Sequence, residues 1–590
     1  MRQFFKFVFA SFFGTLLALT IGTLLLFGIF GAIAAAFGGQ DDEVEPISSS
    51  TLFVPELSKP ITERDLSEGL GQFQFTANFD DNSGVALTDI VKTMKNAKDD
   101  ENIKGMYLNL TVFQGGRASV QAIRNAILDF KTSGKPIYAY ADVYSESTYY
   151  LASLADSIFM NPVGGMAMDG TMMEMMFFRG AFDKLGIEPR VIKHGKFKSA
   201  GEPFSEKQMS DPNREQMRAL LKDIYTQWLA EVGENRGMDS AKLRAIAAEL
   251  KVRTPQDAVE HGLIDGLYYR DQMRDFLANF MGEEDYDDIE TVSIKKYRKT
   301  INDEYQKEKI AVVYAVGGID MGQGDDLNIG ADRIAGAIKK AREDDKVKAI
   351  VLRVNSPGGS ALASDIILRE MALAKEAGKP VIASMGDVAA SGGYYISCKA
   401  DWILAEPSTL TGSIGVIGIL PGTEKFFEDK LGITFDRIKT GPYADLGNPN
   451  RAMSDEEMAI IQNQLDIIYV DFITHVAEGR GLDTAYVNEH GQGRVWTGTR
   501  ALEIGLVDEL GGLDRAVAIA AEKAGLENYQ IKEYPKVKNP FEDLIKEFGG
   551  QVSSDMIKEE IGAEQYEIMQ QIKWVTQFDE PMMLMPYFFK

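Results

Sequence analysis

The chain is poor in the residues that build disulfides and metal centres. Its 590 residues include one cysteine, Cys398, so no intrachain disulfide forms. A lone cysteine of this kind reads as a small buried hydrophobe. The four histidines (His194, His261, His475 and His490) are scattered, with no H-x-x-x-H pair and no Cys/His cluster. Neither a metal site nor a cofactor is expected from such a set. Basic charge is short as well: 63 Lys and Arg against 88 Asp and Glu give a net charge of −25. Phosphate binding rests on clustered Lys and Arg, so this balance argues against nucleic acid. The acidity is spread along the chain and reads as solvated surface. The Gly-Gly-Ser of residues 358–360 is followed by no Gly-Lys-Ser/Thr, so it is not a phosphate loop.

Long apolar runs are scarce too, with one exception. Arg2 and Lys6 precede an apolar stretch from Phe7 to Phe37, and Asp41-Asp42-Glu43 follow it. A cleaved signal peptide has an apolar core of about 7–15 residues, whereas crossing a bilayer takes about 20. The run fits a membrane anchor better than a cleaved signal, although Ala34-Ala35-Ala36 offers a cleavage site. Its basic flank would keep the N-terminus in the cytoplasm and place everything after residue 45 outside the cytoplasmic membrane. The apolar end, Pro581 to Phe589, is too short to span and should dock on the chain's own core or on a sister subunit.

What the sequence does contain is itself, twice. Ile103 to Gly170 matches Val347 to Gly415: Gly115-Gly116 falls on Gly358-Gly359, Gly134-Lys135-Pro136 on Gly378-Lys379-Pro380, and Tyr149-Tyr150 on Tyr394-Tyr395. Asp183 to Ile187 repeats as Asp429 to Ile433, and Gly262 to Asp265 as Gly505 to Asp508. The expected organisation is an anchor over 1–45, a first copy over 46–307, a second over 308–535, and a helical tail over 536–590. A charged connector, Gly282 to Lys299, joins the copies. Within each copy apolar strands alternate with helical patterns, which predicts an α/β fold built from βαβ units. Glu215 to Leu229 and Glu456 to Ile473 have helical spacing.

The chemistry lies where the copies differ. Val381-Ile382-Ala383 reads as a buried strand and leads into Ala389-Ala390-Ser391-Gly392-Gly393, one hydroxyl among small residues. A serine that attacks a carbonyl needs such room, and an adjacent glycine lets substrate approach a backbone N–H. Asn355 to Ser360 ends another apolar strand, and its Gly359 offers a second N–H. In the register of the Tyr-Tyr pairs, Ser391 falls on Glu146, so the first copy has no nucleophile. Reciprocally, Val191 to Ala200 aligns with Arg437 to Leu446, and Lys198 falls on Ala444. Each copy retains one member of a Ser–Lys pair, which predicts a site where the two copies meet. Lys193 and Lys196 are expected to be solvated. His194 is the rival base, in a Ser-His-Asp arrangement, but no histidine lies near the second copy's motif.

These motifs (AASGGYY after NSPGGS, with KFKSAGEPFS in the preceding copy) resemble the signal peptide peptidase A family in its long, duplicated bacterial form, protease IV. The likeness runs from the apolar N-terminal segment to about residue 515. It implies the fold of the Clp protease and crotonase superfamily, a Ser–Lys serine peptidase of the bacterial inner membrane, and a ring-like homotetramer. It also implies that Ser413 hydrogen-bonds the lysine. In this reading Ser391 is the nucleophile, Lys198 the general base, and Gly359 and Gly392 the oxyanion donors. The substrates would be apolar peptides, chiefly signal-peptide remnants, received against the Met-rich stretch Met166 to Phe178, which core packing explains equally well. The competing readings are an inactive membrane-anchored peptide-binding scaffold and an acyl-CoA enzyme of the crotonase type.

Overall fold

Runs such as Ile310–Ala315, Val347–Val354 and Val381–Met385 are apolar on both strand faces, and nearly all their residues are fully buried. Strands of that kind belong to parallel sheets covered by helices on both sides. The computed structural model has this architecture. It describes residues 46–66, 84–302, 304–537 and 582–584, besides two isolated positions near the N-terminus. The chain divides into two units, residues 1–48 and 49–590. The apolar run Phe7–Phe37 and the predicted helix after residue 540 lie outside the described residues. Among the described residues no helix is long and apolar enough to cross a membrane.

The first copy carries a parallel six-stranded sheet in the order Gly266–Leu267, Ser157–Met166, Ile137–Tyr144, Ile103–Asn109, Thr51–Phe53 and Thr291–Val292. The connector thus packs as part of this domain. Thr291–Val292 forms an edge strand, and Ile294 and Tyr297 of the next helix are buried. The second copy repeats the plan with Val381–Ala390, Val347–Ser356, Lys309–Val316 and Gln530–Tyr534 side by side. Beyond Val381–Ala390 the sheet continues through Leu410–Gly412 to an antiparallel edge, Val495–Thr497.

The duplication extends to individual hydrogen bonds. Lys135 donates to the carbonyls of Ala97 and Asp100, as Lys379 does to those of Ala341 and Asp344. Tyr149 Oη donates to Leu263 O and Tyr394 Oη to Leu506 O. Strand registers and helix starts refine the alignment by one residue at the glycines. Gly116 and Ser360 each cap the equivalent helix, so Gly116 falls on Ser360.

Both long helices run further than their spacing predicts, Asp211–Arg236 and Asp455–Arg480. Each starts at a serine cap, whose oxygen accepts an N–H three residues on, and ends at a glycine with positive φ. A third, smaller sheet spans the two copies. Arg190–His194 of the first pairs antiparallel with Val416–Leu420 of the second. Met582–Leu584 lies antiparallel against Gly358–Ser360, with Gly359 opposite Met583. These three residues of the apolar end therefore pair with their own chain. The Met-rich stretch is divided: Met168 is buried and Met173 and Met175 pack on Met217 and Leu220, while Met172 and Met176 are exposed.

Candidate active site

Ser391 stands at the end of strand Val381–Ala390 and caps helix Gly392–Ser397. Its backbone is at φ 57°, ψ −116°, a conformation that costs a non-glycine residue energy and needs support. Its N–H donates to Gly412 O at 2.8 Å and its carbonyl accepts Tyr395 N–H at 2.8 Å. The small neighbours are required by space. A Cβ on Gly392 would lie 2.8 Å from Ser364 Oγ and 3.1 Å from Gly359 N, and one on Gly393 would lie 2.6 Å from Ser356 O. Gly392 and Gly359, predicted as a pair, are thus brought backbone to backbone. Glu146, at the equivalent place in the first copy, is instead the first residue of a helix. One of its carboxyl oxygens is buried without a hydrogen-bond partner, and burial raises its pKa.

Lys198 reaches this serine from the other copy of the same chain. It is fully buried, and Nζ lies 2.7 Å from Ser391 Oγ, 3.0 Å from Ser413 O and 3.0 Å from Ser413 Oγ. Burial, with no carboxylate beside it, holds the lysine well below its ordinary pKa. Ser413 also has a positive φ, 51°, and its N–H is tied to Arg494 O at 2.7 Å.

The segment around Lys198 is clamped. Pairing of Arg190–His194 with Val416–Leu420 delivers it, Phe197 N–H donates to Gln492 O at 2.8 Å, and Gly493 packs on the lysine's own backbone. A Cβ at Gly493 would fall 2.5 Å from Lys198 Cβ, and its φ of 74° favours glycine independently. Gln216, fully buried on helix Asp211–Arg236, donates to Phe197 O and Ser199 Oγ and accepts Val495 N–H. Sequence reasoning missed it. The signal available was a polar pair, Asn213 and Gln216, on the face that also carries Met217, Leu220 and Ile224.

A second missed layer supports the loop of Gly359. Asn355 Nδ2 donates to Glu63 Oε1 at 2.8 Å, and its Oδ1 accepts Val388 N–H at 3.1 Å. Arg353 forms a buried ion pair with Glu63 at 2.8 Å. Asp387, four residues before Ser391, accepts the N–H and hydroxyl of Ser119 in the first copy. The charge of Arg353 inside the apolar run Val351–Val354 was the visible hint of a buried partner.

Of the two lysines expected to be solvated, Lys196 is exposed, whereas Lys193 is half-buried 3.8 Å from Glu202. Ala444, opposite Lys198 in the alignment, sits on an exposed turn. His194 does not serve the serine. Its Nδ1 lies 2.7 Å from Asp466 and its ring stacks on Tyr469. Cys398 is buried, and burial pushes its thiol up to about 12. No cluster of metal-ligating side chains occurs among the described residues.

Comparison with known proteins returns the same division into copies. The model of peptidase family S49 matches residues 129–281 and again 373–527, once in each copy. Protease 4 of Salmonella typhi is 37% identical over 517 residues, covering 86% of this chain and 83% of that protein. Protease 4 of Haemophilus influenzae is 36% identical over 73% of this chain and 72% of its own length. The chloroplastic serine protease SPPA of Arabidopsis thaliana is 36% identical over 80% of this chain and 71% of its own. The chain belongs to peptidase family S49 and is a serine protease.

Proposed function

We propose that the protein is a membrane-anchored endopeptidase that cuts short apolar peptides, signal-peptide remnants above all, with a Ser391–Lys198 dyad. The observation that carries this reading is the 2.7 Å contact of Lys198 Nζ with Ser391 Oγ at a fully buried lysine. A neutral amine has two hydrogens and one lone pair, and Nζ has three oxygen neighbours. Ser413 O can only accept, Ser413 Oγ takes the second hydrogen, and the lone pair is left for the Ser391 hydroxyl. Lys198 then removes the hydroxyl proton as Oγ attacks a peptide carbonyl. The Gly392 and Gly359 N–H groups stabilise the oxyanion. The lysine passes its proton to the leaving amine, and water hydrolyses the acyl-enzyme.

An extended peptide would take the place on Gly358–Ser360 that Met582–Leu584 holds as an antiparallel strand, displacing it. Met172 and Met176 add an exposed, adaptable apolar wall. The anchor reading rests on the apolar length of Phe7–Phe37 and its basic flank, and places the catalytic copies outside the inner membrane.

A homo-oligomer is supported by the pseudo-symmetry of the copies. Val191–Lys193 of the first copy pairs with the second, whereas its counterpart Arg437–Lys439 is bare, with Ile438 fully exposed and Phe435 and Ile433 uncovered. The equivalent of Val416–Leu420 in a neighbour's first copy is Thr171–Met175, the segment that would receive this arm, and head-to-tail repetition closes a ring. The ring proposed is a tetramer, as the family resemblance implies.

The test uses the purified full chain with a fluorophosphonate probe and two peptide sets, leucine-rich and charged. Labelling confined to Ser391 and cleavage of the leucine-rich set are expected. An unlabelled serine, or cleavage of charged peptides only, would contradict the proposal.

A further inference from the structure

Between the two copies, away from the dyad's own residues, lies a cavity of about 490 Å³. Its walls are Leu87 and Val91 of helix Leu87–Asp99, Ala122 and Ala126 of helix Arg117–Lys131, and Leu510 and Leu513 of the second copy. Glu406 forms part of its floor. That side chain is 3% exposed, and its carboxylate makes no hydrogen bond among the described residues. A buried carboxylate is ordinarily paired, so an unpaired one facing a cavity wants a cationic donor.

The other charged groups facing the cavity are Glu63, Arg353, Lys95, Asp129, Glu509, Asp514 and Arg515. Most are already engaged: Glu63 with Arg353, Asp129 with Lys98, and Glu509 with Arg515. Lys95 and Asp514 remain, both exposed at the rim. Arg353 lies near enough to act on Glu406 electrostatically but forms no ion pair with it, its donors being taken by Glu63, Ser384 and Met385. Burial pushes the Glu406 carboxyl up to about 7, Arg353 opposing and the nearby carboxylates Glu231 and Asp387 adding to the rise. The first copy has Asn161 at this place, before the same proline, and its amide donates to Asp142. The carboxylate is therefore peculiar to the second copy.

We propose that this inter-copy cavity is a binding site for a linear aliphatic amine, its ammonium on the Glu406 carboxylate and its methylene chain along Leu87, Val91, Ala122 and Ala126. A charge-assisted hydrogen bond in a half-dry site fixes the head, and the apolar walls take the chain. The site is separate from Ser391, so occupancy stabilises the two copies against each other without entering the peptidase reaction.

Calorimetric titration of the full chain with 1,5-diaminopentane, and with pentane-1,5-diol as the uncharged control, tests this. The diamine should bind and the diol should not. Glu406→Gln should weaken diamine binding about tenfold or more while keeping peptidase activity, the scale of losing one charged hydrogen bond. Below pH 7 the carboxylate takes a proton, so affinity should fall about tenfold between pH 8 and pH 6. Should Glu406→Gln fail to fold, Val91→Trp decides, because it fills the groove and leaves the carboxylate in place; it too should abolish binding. The inference is overturned if the wild-type chain takes up no diamine at about 10 mM, the weak end of small-ligand affinity. It is overturned equally if both variants bind as the wild type does.

Discussion

The two copies share their strands, their helix starts and even their lysine-to-carbonyl bonds, yet one holds Ser391 at a positive φ and the other has Glu146 beginning an ordinary helix. The arms that follow differ in the same reciprocal way. The first copy's arm crosses to the second, pairs with Val416–Leu420 and buries Lys198, while the second copy's arm leaves Ala444 and Ile438 in solvent. A duplicated domain thus keeps its scaffold while the two members of the proposed Ser391–Lys198 pair lie in different copies. The positive φ of Ser391 and the desolvation of Lys198 have no counterpart at the sister positions, Glu146 and Ala444.

The comparison breaks most completely at the dyad. Ser391→Ala and Lys198→Ala should each lower peptidase activity by about 10⁴-fold or more, and the double variant should be no worse, because the two act as a unit. Additive losses would show that each contributes separately. A smaller effect is expected at the clamp. Gly493→Ala puts a methyl group against the Lys198 backbone and a side chain at φ 74°. Activity should fall about 10–100-fold through displacement of the base, with KM for a leucine-rich peptide little changed. An unchanged kcat would mean that the lysine's position tolerates movement.

The smallest effect concerns stability. Lys198 has a lowered pKa when folded, so the unfolded chain binds the extra proton. Stability should therefore rise with pH from the folded pKa up to the unfolded value near 10.4. Lys198→Met should remove that slope and make the inactive protein more stable at neutral pH. Denaturant melts at several pH values measure it; parallel curves for the two proteins would mean the lysine stays charged.

Much of this was legible in the sequence because a duplication supplies its own control. The Tyr-Tyr and Gly-Lys-Pro pairs locate the strands, and the mismatches Ser391/Glu146 and Lys198/Ala444 locate the site. What was not legible is long-range and polar. Gln216, Glu63 and Asn355 act through partners remote in sequence, and no period of 2 or 3.6 residues reports such a partner. The connector Gly282 to Lys299 shows the same limit: most of its charges are exposed, but Val292, Ile294 and Tyr297 between them are buried. The one-residue shift at Gly115-Gly116 is likewise settled only by the strand registers. The fate of the apolar end needed the edge of Gly358–Ser360 to be seen.

The central claim is that one chain supplies both halves of the site. It is tested most directly by co-expressing Ser391→Ala and Lys198→Ala chains and assaying the mixed oligomers. If the site lies within a chain, every protomer lacks one group and the mixture stays as dead as either variant alone. Recovery of roughly a quarter of wild-type activity, on random pairing of chains whose groups act as a unit, would contradict the account and place the dyad between neighbours.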